Sequence, residues 1–207
     1  MSAAVIIGAG DATGGAIARA FAAEGLTACV NRRERNADQL EALAQSIRDA
    51  GHQARAFPAD ARNEDAMIAL FDTVEAEVGP VEVAVFNIGA NVTFPIAETT
   101  LRVYTKVWEM ACLSGFLMGR EAAKRMTPRG RGTIIFTGAT ASLRGGSGYA
   151  AFSGAKGALR MLAQSMAREL GPQGIHVAHT VIDGAIDTDF IKGRHRDFDN
   201  AKAQDLI

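Results

Sequence analysis

Four glycines, Gly8, Gly10, Gly14 and Gly15, lie between a short apolar run and an amphipathic segment. Glycine lets a backbone turn sharply and approach a ligand closely. A helix that starts just after such a turn offers free N–H groups and partial positive charge to a phosphate. At the head of a strand–helix–strand unit, this points to a dinucleotide pyrophosphate; a bare packing turn is the alternative. The next run ends in Asn31, Arg32 and Arg33, with Arg35 close by and no acid at the strand end. A carboxylate there would bond the 2′-hydroxyl of NAD, whereas guanidinium groups suit the 2′-phosphate of NADP. NADP(H) is therefore favoured over NAD(H), against the alternative of a solvated basic turn. Asp11 pulls the other way, since a carboxylate near phosphates repels them.

These residues need elements to position them, and the pattern of apolar residues supplies them. Short β-type runs cover Ala3 to Ile7, Thr27 to Val30, Gln53 to Phe57, Val81 to Phe86, Thr133 to Thr137 and Ile175 to Ile182. Between them, apolar residues three and four apart predict helices over Thr13 to Glu24, Asn36 to Ala50, Asn63 to Val78, Leu101 to Met126 and Tyr149 to Leu170. Gly25, Gly51 and Gly171 with Pro172 act as stops. Strands alternating with helices imply right-handed βαβ units. The fold class is α/β: a Rossmann-like, doubly wound parallel sheet of about six strands with helices on both faces. One domain over residues 1–207 is expected, with an irregular tail over 192–207.

Composition removes several functions. The chain has 207 residues, a formal net charge of −1 and 48% hydrophobic residues, the profile of a globular protein. Near-neutral charge without a basic cluster argues against nucleic acid. Cys29 and Cys112 sit in apolar stretches, so neither a disulfide framework nor a metal site is encoded. Val83 to Ala97 is the longest uncharged stretch, and Asn87, Gly89, Asn91 and Pro95 break it. No membrane span or signal segment is evident, and a cytoplasmic location is the default.

With the glycine turn, the Asn87-Ile88-Gly89 segment after the fourth run and a lysine in the helix after the fifth, the chain resembles a short-chain dehydrogenase/reductase from about Ala3 to Phe190. The family's Gly-x-x-x-Gly-x-Gly motif falls on Gly8, Ala12 and Gly14, so its middle glycine is alanine here. The resemblance implies cofactor contacts at Gly8, Gly10, Asp11, Ala12, Thr13, Gly14, Arg32, Arg33, Asp60, Ala61, Asn87, Gly89, Lys156, Gly184, Ile186 and Thr188. It assigns Asp60 to the adenine, Thr188 to the nicotinamide amide and Lys156 to the nicotinamide ribose. It also implies a homodimer or homotetramer through the helices over 101–126 and 149–170, and a further strand that the sequence stops short of.

The same resemblance exposes a departure. Where the family carries its proton-donating Tyr, this chain has Phe152; the Ser position is Ala139 and the Asn position is Cys112. In the family, the Tyr hydroxyl exchanges a proton with the substrate oxygen, the Lys ammonium lowers its pKa, and Ser bonds the developing oxyanion. Phe152 has no proton to give. Tyr149, one turn earlier on a similar face, is the candidate substitute, with Thr140 and Ser142 near the missing serine. Each has a plain structural alternative: Tyr149 packs at the helix start, and the two hydroxyls bond within their loop. Asp183 and Asp187 border the expected nicotinamide side, where turn formation is the simpler reading. Arg144 is either an anion contact or an ordinary surface arginine. His179, in the sixth run, is expected to be a hydrogen-bonded strand residue; a site-facing role is the alternative.

Two functions follow. One is an oxidoreductase passing hydride between NADPH and a carbonyl or alcohol, with Lys156 retained and an atypical proton donor. The other is a catalytically inactive NADP(H)-binding sensor or scaffold. A partner subunit that has lost nucleotide binding too is a third reading, hinted at by Asp11 and Ala12.

Overall fold

The structure is a computed structural model that describes residues 1–184 and Ile186. Thr188, Asp187 and the tail over 192–207 lie outside the described residues. Six strands, β1 (Ala3–Ile7), β2 (Thr27–Asn31), β3 (Ala54–Ala56), β4 (Val81–Phe86), β5 (Gly132–Ala139) and β6 (Ile175–Ile182), form one parallel sheet in the order β3-β2-β1-β4-β5-β6. The order reverses between β1 and β4, which leaves a crevice at their C-terminal ends. The helices are α1 (Thr13–Ala23), α2 (Ala37–Asp49), α3 (Glu64–Glu77), α4 (Leu101–Trp108), α5 (Ser114–Met126) and α6 (Ala150–Leu170).

Side chains alternate across β1 because successive Cβ atoms point to opposite faces. Ala3, Val5 and Ile7 join the core beneath α3, α5 and α6, with Phe71, Phe86, Phe136 and Leu159. Ala4 and Ile6 join the core beneath α1 and α2, with Leu40, Leu43 and Ile47. All five β1 residues are buried, as a strand covered on both faces must be. Phe86 and Phe136 meet at 6.4 Å with tilted rings. Burying each ring fully stabilises the fold by about 2–3 kcal/mol.

The expected single helix over 101–126 is corrected by the structure. A wide π-turn, Glu109–Leu113, separates α4 from α5. Ser114 Oγ donates to Glu109 O at 2.8 Å across it. Apolar spacing alone reads the segment as one helix, since a π-turn keeps helical backbone throughout. A third apolar cluster forms here, joining Val107, Ala111 and Cys112 to Ala151, Phe152 and Ala155 of α6.

β6 forms the edge of the sheet among the described residues. His179 on this strand is also a correction. Both its ring nitrogens are buried and have no hydrogen-bond partner among the described residues. The ring lies against Gly138 of β5, where an added Cβ would come within 2.1 Å of His179 Cε1. Burial first, then the charges of Arg160 and Lys156, lower its pKa, so the ring stays neutral. Among the described residues, no helix is long and apolar enough to cross a membrane, and no group of three or more His, Cys, Asp or Glu could hold a metal ion.

Candidate active site

The crevice holds two connected cavities that share Asn87, Ile88 and Gly89 as a common wall. The smaller, about 230 Å³, lies over the ends of β1, β2 and the segment after β3; the larger, about 560 Å³, lies over β4, β5 and the start of α6.

The glycine turn forms the floor of the first. Gly8 has φ +89°, in the left-handed region, and a Cβ there would sit 2.9 Å from the Asn87 backbone. At Gly14 a Cβ would lie 2.4 Å from Gly8 O and 2.7 Å from Ala9 Cα. Any side chain at this position would therefore separate α1 from β1. Gly10 faces open space, leaving the backbone approachable. Ala12, where the motif has its middle glycine, adopts a negative φ of −91°, so alanine fits without left-handed strain. It is the N-cap of α1 and supplies no side-chain acceptor, and the first turn carries no acid. The helix N-terminus is thus free to face an anion. Asn87 Nδ2 donates to Gly8 O at 3.1 Å and fastens this turn to the end of β4. A cradle that a Cβ would fill, ending in an uncapped helix, fits a dinucleotide pyrophosphate.

The charged residues of this cavity are largely paired. Arg32 Nη1 donates to Asp11 Oδ1 at 3.4 Å and to Gln39 Oε1 at 3.3 Å. Asp11 is therefore held by a cation, which offsets its repulsion of phosphate. Asp60 accepts from the Arg62 backbone N–H at 3.1 Å, from its Nε at 2.9 Å and from its Nη2. The Arg62 side chain holds the Asp60 carboxyl below the usual carboxylate range. Arg62 Nη1 also lies 3.6 Å from Glu109 in the π-turn. Arg33 lines the cavity and makes no side-chain hydrogen bond with the described residues. Burial, then the neighbouring Arg35 and Arg62 charges, lower its pKa, so a bound anion would relieve it. Ala61 also lines this cavity.

Helix α6 brings four positions to the second cavity: Tyr149 at its N-cap, then Phe152, Ser153 and Lys156, at helical spacing of three and four. Lys156 is only 3% exposed. Its Nζ donates to Ile88 O at 3.0 Å and Thr137 O at 2.8 Å, so it bridges the ends of β4 and β5. Burial pushes this ammonium down to about 8. Phe152 packs with Cys112, Val107 and Ala111, and burial pushes the Cys112 thiol up. Phe152 and Cys112 support one another: a polar amide at 112 beside a phenyl ring at 152 would find its apolar neighbour a poor partner. Ala139 ends β5 on the cavity wall.

The three candidate catalytic hydroxyls separate. The Tyr149 side chain lines the cavity and makes no hydrogen bond to the described residues. Thr140 also lines it, but its hydroxyl donates to Asp183 Oδ1 at 2.5 Å, with Ile182 O at 3.4 Å. Ser142 Oγ donates to Ala139 O at 2.6 Å and is not part of the cavity wall. Thr13, Gly184 and Ile186 line the cavity; Thr188 lies outside the described residues. Sequence reasoning passed over Ser153, whose Oγ is buried in the wall without a partner among the described residues. Its position three before Lys156 was the available signal. The Asp60–Arg62 pair was also missed, although two residues is within reach of a local ion pair.

An open parallel sheet with a glycine turn at its switch point, and a buried lysine bridging two strand ends beside it, defines a nucleotide-binding α/β protein. The chain belongs to the short-chain dehydrogenase family, whose model matches residues 2–198. A short-chain dehydrogenase from Rhodopseudomonas palustris shares the fold with a TM-score of 0.84 at 52% identity, covering 93% of this chain and 89% of that one. A cis-4-hydroxycyclohexanecarboxylate dehydrogenase from Sinomonas cyclohexanicum is 31% identical over 92% of this chain and 75% of its own length. A gluconate 5-dehydrogenase from Gluconobacter oxydans is 26% identical over 84% of this chain and 67% of its own length. The relatives' names support an oxidoreductase, and membership of this family implies use of a nicotinamide cofactor.

Proposed function

We propose that the chain passes hydride between NADPH and a carbonyl or alcohol substrate, using an atypical proton donor. The observation that carries this reading is Lys156: a buried ammonium held between two strand-end carbonyls, on the wall of a cavity continuous with the glycine turn. Gly8, Gly10, Gly14 and the start of α1 would hold the pyrophosphate, Arg33 and Arg32 the 2′-phosphate, and Lys156 the nicotinamide ribose. The bound nicotinamide supplies the hydride. Tyr149 holds the proton for the substrate oxygen, because its hydroxyl has no competing partner among the described residues. Burial brings the Lys156 pKa down to about 8, still above neutral, so the ammonium form prevails at pH 7. It therefore adds positive charge where substrate oxygen gains electron density. The relatives named for hydroxycyclohexanecarboxylate and gluconate oxidise hydroxyl-bearing acids, which supports a secondary alcohol or its ketone as the reacting group.

A second reading keeps nucleotide binding without turnover. Phe152, Ala139 and Cys112 favour it, since none offers a suitable proton at the cavity wall. General acid–base help is typically worth ~10²–10⁴ in rate, so its loss alone would slow a family enzyme severely. A homodimer or homotetramer is part of the proposal. Leu101, Tyr104, Trp108, Phe116 and Met161 on α4, α5 and α6 are exposed, as an unpartnered apolar face would be.

Equilibrium titration with NADPH and NADH tests the first step. Tighter NADPH binding, reduced about tenfold or more in Arg33→Ala with NADH unchanged, supports the phosphate assignment. Turnover lost in Tyr149→Phe supports the proton donor. Nucleotide binding without turnover, with activity appearing in the Phe152→Tyr, Ala139→Ser, Cys112→Asn triple variant, supports the sensor. Binding of neither nucleotide overturns both.

A further inference from the structure

Arg144 stands on the rim of the larger cavity, in the loop between β5 and α6. Its backbone N–H donates to Thr140 O at 3.2 Å, which anchors the loop. Its guanidinium makes no hydrogen bond or ion pair with the described residues, whereas eight of the fourteen other described arginines pair with a carboxylate. Gly145 beside it faces open space and keeps the approach clear. Among the described residues, the cavity wall contains two cationic side chains, Arg144 and Lys156, and no carboxylate. Asp183, at the end of β6, is engaged by the Thr140 hydroxyl. The remaining wall is largely apolar, including Ile88, Ala141, Phe152 and Ile182. Two cations on one cavity wall, with no carboxylate among its described lining residues, create a field that favours an anion.

We infer that the substrate is a hydroxy or oxo carboxylic acid whose carboxylate is gripped by Arg144 while its reacting carbon lies toward Tyr149 and Lys156. This rests on the oxidoreductase reading and deepens it by naming the substrate class. A guanidinium fork takes a carboxylate through two parallel N–H···O bonds, which lysine cannot reproduce. The apolar wall between the two ends suits a hydrocarbon spacer that carries no charge. Arg144 is thus a specificity-determining residue that touches the substrate away from the reacting atoms.

The test uses matched acids and esters on the full chain: 4-oxopentanoate, 5-oxohexanoate and 6-oxoheptanoate against their methyl esters. Binding is measured by calorimetry, with and without saturating NADP⁺, where a ketone cannot be turned over. NADPH oxidation by the same compounds is followed in parallel. At least one acid is expected to bind about tenfold or more tightly than its ester, the difference being a charged hydrogen-bonding pair. Arg144→Gln should abolish that preference, Arg144→Lys should keep part of it, and added salt should weaken it. If every acid binds no better than its ester, or Arg144→Gln retains the preference, the inference is overturned. Preference for the acid without any NADPH oxidation supports the carboxylate contact at Arg144 and counts against these ketones being turned over. Equal turnover of acids and esters does the reverse.

Discussion

At the glycine-turn end of the crevice, polar side chains hold one another; at the reacting end, several hold nothing. Arg32 is tied to Asp11 and Gln39, Asp60 to Arg62, and Asn87 to Gly8, with Arg33 the exception. Across the shared wall, Arg144, Tyr149 and the Ser153 hydroxyl lack partners among the described residues. The first end is set before any ligand arrives, which lowers the ordering cost of binding. The second leaves its hydrogen-bonding capacity for a molecule that the chain must select. On the proposed function, the first end takes the cofactor that the family uses. The other is free to vary, as loops on a rigid scaffold commonly do.

Gly14→Val gives the largest expected effect and tests whether the first end is truly fixed. Backbone atoms of Gly8 and Ala9 stand within 2.7 Å of the added Cβ, and neither can yield like a flexible side chain. Chemical denaturation should show a loss of about 3 kcal/mol or more, together with loss of nucleotide binding. Near-wild-type stability would mean that α1 can shift away from β1, and the contrast between the two ends would fail.

Lys156 gives a comparable effect at the other end, visible through pH. Folded, it loses its proton near 8; unfolded, near 10.5. Between those values the unfolded chain binds more protons, so stability rises with pH. The cost of burying the ammonium is fully present below about 8 and disappears as pH climbs to 10.5. At about 1.36 kcal/mol per pH unit it amounts to roughly 3 kcal/mol. In paired denaturation curves, wild type should therefore gain on Lys156→Met by that order between pH 7 and 10.5. Parallel curves would show that the ammonium is better solvated than its burial implies.

The smallest effect sharpens the comparison. Arg62→Ala should raise the Asp60 pKa back toward its ordinary range, read by carboxyl NMR titration. The pair is partly exposed, so global stability should fall by only about 1 kcal/mol or less. An unmoved Asp60 titration would show that Arg62 does not fix this carboxylate in solution.

Much of this was legible in the residues. The apolar run Ala3–Ile7 and the nearly continuous run Val81–Phe86, broken only by Glu82, became β1 and β4 with those bounds, because strands covered on both faces leave little room for polar alternation. The glycine turn, Asn87 and Lys156 were legible through the resemblance, and the structure brings them to one crevice. What escaped were facts set by backbone. Lys156 is held by the carbonyls of Ile88 and Thr137, which carry no signature in side-chain identity. Thr140 and Ser142 looked equivalent in sequence, yet a single 3₁₀ turn sends one hydroxyl to Asp183 and the other back to Ala139. β5 runs to Ala139, beyond the expected Thr137, because its later residues still pair with β6. His179 escaped because no residue type announces that its ring will lie over a glycine.

The π-turn between α4 and α5 reaches beyond its own hydrogen bonds. Val103, Val107, Ala111 and Gly115 all contact the interior and are spaced by four. In an ideal helix each such step overshoots by about 40°, so three would carry the buried line about 120° around the axis. The wide turn absorbs that drift by holding one residue more than an α-turn would. Glu109–Leu113 is therefore the place in this long helix where chain length can change by one residue while both flanks keep their neighbours. A lineage could shorten the helix there without rebuilding its core, and the position beside Phe152, now Cys112, would be the first thing to change.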